Sequence, residues 1–216
     1  MTNTSIPNPL HGLDPSVLLE PLGRALQDPT VAVIAWHMQS LSTRTTMPTT
    51  AGLYRISGTA ARGDQLLPWS LILKVVRTPV GQTPSTFPRG WDPSHHCYWK
   101  REPVFYQAGL LDAMSGNLAA AQCFGIVQHA EECIWLWLED LTNDNASVWP
   151  AERYERAARH LGEFNGACLL AQPLPTAAWL NHHCLHTVTA LRPTLLALIH
   201  DPATWAHPLV RHTFAE

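Results

Sequence analysis

The chain has 216 residues, of which 46% are hydrophobic and 14% are charged, and its formal net charge is −3. This composition is typical of a globular protein and excludes a disordered chain. There is no basic stripe, so nucleic acid is not an expected partner, and no apolar run approaches the length of about 18 residues that would predict a membrane span. Five widely spaced cysteines and an N-terminus without signal-peptide features indicate reduced thiols and a cytoplasmic location.

Residues 1–30 are expected to form a loose N-terminal arm followed by a helix. Asp14-Pro15 is a helix-start signal, and four leucines at helical spacing come after it: Leu18, Leu19, Leu22 and Leu26. Because Pro21 interrupts this run, we expect a kink or two short helical pieces.

Three strands are predicted next, at 31–36, 51–58 and 69–77, and their short links indicate an antiparallel meander. The third strand is a nearly continuous apolar run with one lysine, Lys74, in its middle. Side chains alternate along a strand, so Lys74 should lie on the opposite face from Leu73 and Val75. An ammonium in so apolar a strand is costly unless it reaches water or meets an anion. The pattern of this strand by itself also fits the alternative that Lys74 is an ordinary exposed lysine on the solvent face.

A loop rich in proline and glycine follows up to Pro93, and a helix that carries Glu102 comes after it. This helix either runs from Ser94 to about Met114 with a bend at Pro103, or begins near Arg101.

Two more strands are predicted at 119–127 and 133–138, and Glu139-Asp140-Leu141 ends the second of them. Its tryptophans share one face and its leucines the other, as expected of a strand buried on both sides. From Trp149-Pro150 the apolar period becomes helical, and a second helical stretch from Leu180 to Leu198 should bend or divide at Pro193.

In this order the features resemble the small lobe of the protein-kinase-like fold, and more closely the aminoglycoside phosphotransferase family of small-molecule kinases. The segments that carry the resemblance are 71–75, 101–106, 135–141 and 157–165. It implies an α+β fold, in which residues 31–142 form a five-stranded antiparallel nucleotide-binding lobe with one packed helix. Residues 143–216 would then be part of an α-helical lobe.

The resemblance also implies ATP as cofactor and phosphoryl transfer to the hydroxyl of a small substrate, which the sequence does not identify. In this family a strand lysine contacts the phosphates, a helix glutamate holds that lysine, and backbone groups after the last strand bind the adenine edge. By this resemblance Lys74 would contact the phosphates and Glu102 would hold Lys74. The backbone of Glu139, Asp140 and Leu141 would bind the adenine edge. The alternative for Glu102 is a surface glutamate paired with a neighbouring arginine. The alternative for residues 139–141 is an ordinary strand-end turn.

Three departures from the family argue that this chain is catalytically incomplete. The loop at 39–50 offers hydroxyls and Arg44 but has no glycine-rich pattern. The His-x-Asp catalytic loop and the metal-binding aspartate are missing, since the only aspartate after Asp144 is Asp201, which we interpret as a turn former. The chain also ends where the family would still be in the preceding helices.

We therefore expect a truncated relative with no catalytic residue and no magnesium ligands of its own. The alternative is a non-catalytic, pseudokinase-like module that binds a nucleotide or a protein partner. Helix faces without their neighbours would also promote self-association.

Two clusters of histidine and cysteine were considered as metal sites. His182 and His186 are spaced to share a helix face, but a third ligand and an HExxH glutamate are lacking. His95-His96-Cys97 lies in the proline-rich loop. Both clusters are interpreted as ordinary histidines, so no metal site is expected, and a metal-binding helical protein is the third alternative. A Cys–His nucleophilic pair is not indicated.

Overall fold

The computed structural model describes residues 13–41, 49–78, 88–110, 117–141, 149–170, 176–181 and 193–208, together with His186 and Ala190. These residues form an α+β structure with a five-stranded antiparallel sheet. The strands are β1 (Ala32–Ser40), β2 (Thr50–Arg62), β3 (Gln65–Arg77), β4 (Cys123–Ala130) and β5 (Cys133–Glu139). The helices are α1 (Ser16–Ala25), α2 (Pro88–Trp91), α3 (Arg101–Gln107), α4 (Ala151–Leu170), α5 (Pro193–His200) and α6 (Pro202–Ala206). None of these helices is long and apolar enough to cross a membrane.

The strands lie in the order β1-β2-β3-β5-β4, and each pairs antiparallel with its neighbours. The β2–β3 hairpin is longer than predicted, because the expected turn at 59–68 is strand except for two residues. Arg62 pairs with Gln65, and Gly63 between them has a φ of +57°, which glycine adopts without steric cost. The meander of the first three strands is confirmed.

Helix α1 begins at Ser16, one residue later than Asp14-Pro15 predicts, and the Asp14 carboxylate accepts a hydrogen bond of 2.9 Å from the backbone N–H of Ser16. Of the two alternatives expected at Pro21, two short helical pieces is wrong, because one helix includes that proline. Pro21 is buried with Leu18 and Leu22, and this packing offsets the hydrogen bond that a proline removes from a helix.

The sheet has a core on each face. The first core contains α1 and one face of the sheet: Leu18, Leu22, Val31, Ile56, Ala60, Trp69, Leu71, Leu73, Val75, Trp135 and Trp137. The second core lies on the opposite face: Val76, Trp99, Ile134, Leu136 and Leu138. The tryptophans and leucines of β5 thus separate onto two buried faces, which confirms that prediction.

The helical part differs more from expectation. Helix α4 has no buried residue, and its Leu169 and Leu170 are among the most exposed apolar side chains described. Helix α5 begins at Pro193, where the sequence predicts a bend or a division of the helical stretch, and this start agrees with a division. Most of 182–192 lies outside the described residues. The boundaries at 31–142 and 143–216 stay predictions.

Candidate functional site

Lys74 lies in β3, the central strand of the sheet, opposite Leu53 of β2 and Leu136 of β5. Its ammonium contacts the Glu102 carboxylate, with 2.7 Å from Nζ to Oε1 and 2.5 Å from Nζ to Oε2. Leu73 belongs to the first core on the other face, so the predicted alternation holds. The side chains of Lys74 and Glu102 are 23% and 37% exposed, so the pair is shielded but reachable from solvent.

Glu102 reaches Lys74 from the first turn of α3, which begins at Arg101 and ends at Gln107. The second of the two predicted starts is therefore correct, and an end near Met114 is wrong. Pro103 is tolerated because N–H groups in the first helical turn have no partner within the helix. Among the described residues, the neighbouring arginine, Arg101, does not pair with Glu102. Its guanidinium donates to the carbonyls of His95, His96 and Trp179, each at 2.7 Å.

A second ion pair lies on the same sheet face. The Arg55 guanidinium donates from Nε to Oδ2 of Asp140 at 2.8 Å and from Nη2 to Oδ1 at 3.1 Å. The Ser70 hydroxyl also donates to Asp140. Arg55 is two residues from Leu53, which pairs with Lys74, so Arg55 and Lys74 share a face.

The three strand-end residues differ in what they offer a ligand. The backbone N–H of Glu139 already donates to the Gln122 carbonyl at 2.9 Å, and the Glu139 carboxylate accepts from the Gln122 N–H at 3.1 Å. The side chain of Asp140 is occupied by Arg55 and Ser70. Leu141 follows the last β3–β5 pair and is 58% exposed. Leu141 is thus the most exposed of the three strand-end residues.

The sheet face that carries both ion pairs is covered unevenly. Above β4 and β5 it is closed by the second core, which includes Trp99. Above β1 and β2 it carries polar groups, among them His37, whose Nε2 lies 3.1 Å from the Ser57 hydroxyl oxygen. We call this open part, with Lys74, Arg55 and Asp140, the Lys74 face.

Asp140 is held in its charged form. Burial alone would raise its pKa, but the hydrogen bonds from Arg55 and Ser70 and the positive charge of Arg55 outweigh burial, and the pKa of Asp140 lies below its usual value. A carboxyl whose pKa is lowered by folding stabilises the native state above its unfolded pKa of about 3.9, and this contribution is lost as the pH falls through its folded pKa.

The variant Asp140→Asn is accordingly expected to lower the free energy of unfolding by about 1–3 kcal/mol at pH 7, because it weakens the hydrogen bonds of a buried group. The difference from the unaltered protein should shrink below about pH 3.9. Urea unfolding at pH 7 and pH 3 measures the loss of stability at neutral pH and its decrease at low pH. Asp64→Asn, in the exposed β2–β3 turn, is the matched control and should change little. A loss of equal size at both pH values would contradict the conclusion that the charged form of Asp140 stabilises the fold.

The structure brings His95, His96 and Cys97 together, with one ligand atom of each lying within 4.8 Å of the others. However, Nδ1 of His95 already accepts a hydrogen bond from the Cys97 N–H at 3.1 Å. Burial, with the charges of His96 and Arg89, lowers the pKa of His95. That no metal binds at this cluster stays a prediction. His182 lies outside the described residues.

Two of the described cysteines, Cys123 and Cys133, lie in surroundings that disfavour nucleophilic chemistry. Cys97, Cys123, Cys133 and Cys168 are free thiols. Burial raises the pKa of the Cys123 and Cys133 thiols, which disfavours the reactive thiolate.

Of the predicted departures, Asp201 can be placed. Asp201 caps α6, since its Oδ1 accepts a hydrogen bond of 2.9 Å from the Ala203 N–H. Of the loop at 39–50, residues 42–48 with Arg44 lie outside the described residues.

Comparisons with protein-family models, with curated proteins and with solved structures find no match for this chain.

Proposed function

We propose that the chain binds ATP on the Lys74 face and is related to small-molecule kinases of the aminoglycoside phosphotransferase type. The observation that carries the proposal is the ion pair between Lys74 and Glu102. Nucleotide phosphates need a cation held at a fixed place, and a carboxylate from a packed helix supplies that restraint. An ammonium has three donors, and at most two are directed at the Glu102 oxygens, so one is left for a phosphate.

The sheet order supports the same proposal. Because β5 pairs directly with β3, the strand that carries Lys74 lies beside the strand that ends at Glu139. A single nucleotide can then contact the lysine with its phosphates and the backbone near Leu141 with its base. Since Glu139 uses its N–H within the sheet, Leu141 is the residue to which we assign that base contact.

The parent reaction would be phosphoryl transfer from ATP to a hydroxyl, with magnesium in the complete enzyme. For that reaction the family needs an aspartate near the acceptor hydroxyl and further magnesium ligands. Asp201 is the only aspartate after Asp144 and caps a helix. We therefore propose that this chain binds ATP without transferring phosphate by itself. A cytoplasmic location, with its ATP and reducing conditions, fits this role.

A second candidate is a non-catalytic module that uses its helices to hold a protein partner or a second copy of the chain. The observation that favours it is the exposure of Leu161, Leu169 and Leu170 on α4, a helix without a buried residue. Apolar side chains exposed together on a soluble protein often mark an interaction surface.

Calorimetric titration with ATP, with and without magnesium, tests the first proposal. The protein should bind ATP saturably, and Lys74→Met should weaken binding about tenfold or more because the phosphates lose their cation. Arg159→Met removes one positive charge from the exposed face of α4 and should leave the affinity unchanged. Absence of saturable binding, or equal affinity in Lys74→Met, would refute the proposal. With a panel of hydroxyl substrates we expect no turnover that depends on Lys74.

A further inference from the structure

The ion pair of Arg55 and Asp140 fixes the plane of an arginine side chain that is still partly exposed. Two parallel hydrogen bonds fix the guanidinium plane, at 2.8 and 3.1 Å. Asp140 is almost fully covered, with its side chain 5% exposed, whereas a third of the Arg55 side chain, 34%, stays exposed. The Lys74 face therefore presents a planar cation that is already held in place.

The two ion pairs lie at different points along the same sheet face. Arg55 pairs with Ile72, two residues from Lys74, and Ser70, whose hydroxyl donates to Asp140, is four residues from Lys74. At about 3.3 Å per residue, the contact of Arg55 with Asp140 therefore lies roughly 7–13 Å along the face from Lys74. A nucleotide extended along the face, with its phosphates at Lys74, would place its base toward that contact.

We propose that the Arg55 guanidinium is the surface on which the nucleobase stacks, and that Asp140 is the positioning residue that holds it. This inference depends on the proposed nucleotide site and deepens it. Guanidinium planes stack well on aromatic rings and bases. Because the bidentate contact already fixes this plane, little further conformational entropy is lost when a base stacks on it. Asp140 uses its oxygens on Arg55 and Ser70, so it acts on the base through Arg55.

Paired titrations with ATP and with inorganic tripolyphosphate test the role of Arg55, because only ATP has a base. Arg55→Lys keeps the charge and can still pair with Asp140, but loses the plane. It should weaken ATP binding about tenfold and leave tripolyphosphate binding within about twofold. Asp140→Asn should lower the ratio of ATP to tripolyphosphate affinity in the same direction, which a purely structural role would not do.

Two control variants complete the design. Arg62→Lys changes the second arginine–aspartate pair of β2, with Asp28, and should affect neither ligand. Lys74→Met should weaken both ligands. Suppose that Lys74→Met weakens both ligands as expected. If Arg55→Lys then binds ATP normally, or loses affinity for both ligands equally, the stacking role is refuted and the nucleotide site stands. If the unaltered protein binds neither ligand, the nucleotide site itself fails, and the stacking role with it.

Discussion

Replacing Trp137 with alanine is expected to lower the free energy of unfolding by about 3–5 kcal/mol, a large share of the stability of a small domain. The Trp137 side chain is 1% exposed and lies in the first core, opposite Leu73 across the β3–β5 pair. Its ring also contacts Trp135 edge to face, with centroids 6.3 Å apart. Alanine would leave a cavity that the sheet cannot close, since both neighbouring strands are fixed by pairing.

Urea unfolding followed by circular dichroism measures this loss. Trp137→Phe keeps most of the buried ring and should lose less than half as much stability. Trp205→Ala removes a tryptophan that is 51% exposed, and its effect should stay below about 1 kcal/mol. Equal losses in Trp137→Ala and Trp205→Ala would contradict the described first core.

Trp99→Ala is expected to cost about 3–5 kcal/mol as well, and to weaken ATP binding in addition. Trp99 is 2% exposed and packs in the second core, with its ring 5.6 Å from that of Trp91. It lies two residues before the start of α3, which carries Glu102. Without this anchor the helix loses its fixed position against the sheet, and Glu102 no longer holds Lys74. Trp137→Ala alters the opposite face, so its effect on ATP affinity should be smaller at equal loss of stability.

Trp99→Phe is the matched variant. The indole Nε1 of Trp99 is buried and has no hydrogen-bond partner among the described residues. Phenylalanine would remove this unsatisfied donor together with part of the ring, so the two effects offset each other. We expect Trp99→Phe to bind ATP like the unaltered protein. Unchanged ATP affinity in folded Trp99→Ala would show that α3 does not depend on this anchor.

Local patterns predicted the features that depend on local chemistry. The alternation around Lys74 separated its face from that of Leu73, and the alternation in β5 separated Trp135 and Trp137 from Leu136. Such predictions succeed because the side-chain period of a strand is fixed by its backbone. The pairing of Lys74 with Glu102 was expected from the family resemblance, not from the pattern, and the ion pair is present. Its role toward a nucleotide stays a proposal.

Other features could not be predicted because they depend on which strands become neighbours. Arg55 and Asp140 are 85 residues apart, and only the β3–β5 pairing brings their strands together. Nothing near either residue in sequence indicates the other. The length of the β2–β3 hairpin was missed for a different reason. Its polar end lacks the apolar alternation by which strands are recognised, although Gly63 marks the turn.

The strand order has a consequence for how the site is assembled. β1, β2 and β3 are joined through neighbouring segments, and β4 and β5 form a hairpin of their own, so β3–β5 is the one strand pair of the described sheet that joins residues far apart in the chain. The entropy cost of closing the long intervening segment therefore falls on that one boundary. Lys74 and Arg55 lie on one side of it and Asp140 on the other. The two halves of the proposed nucleotide site thus exist together only after β5 has paired with β3 across this long segment.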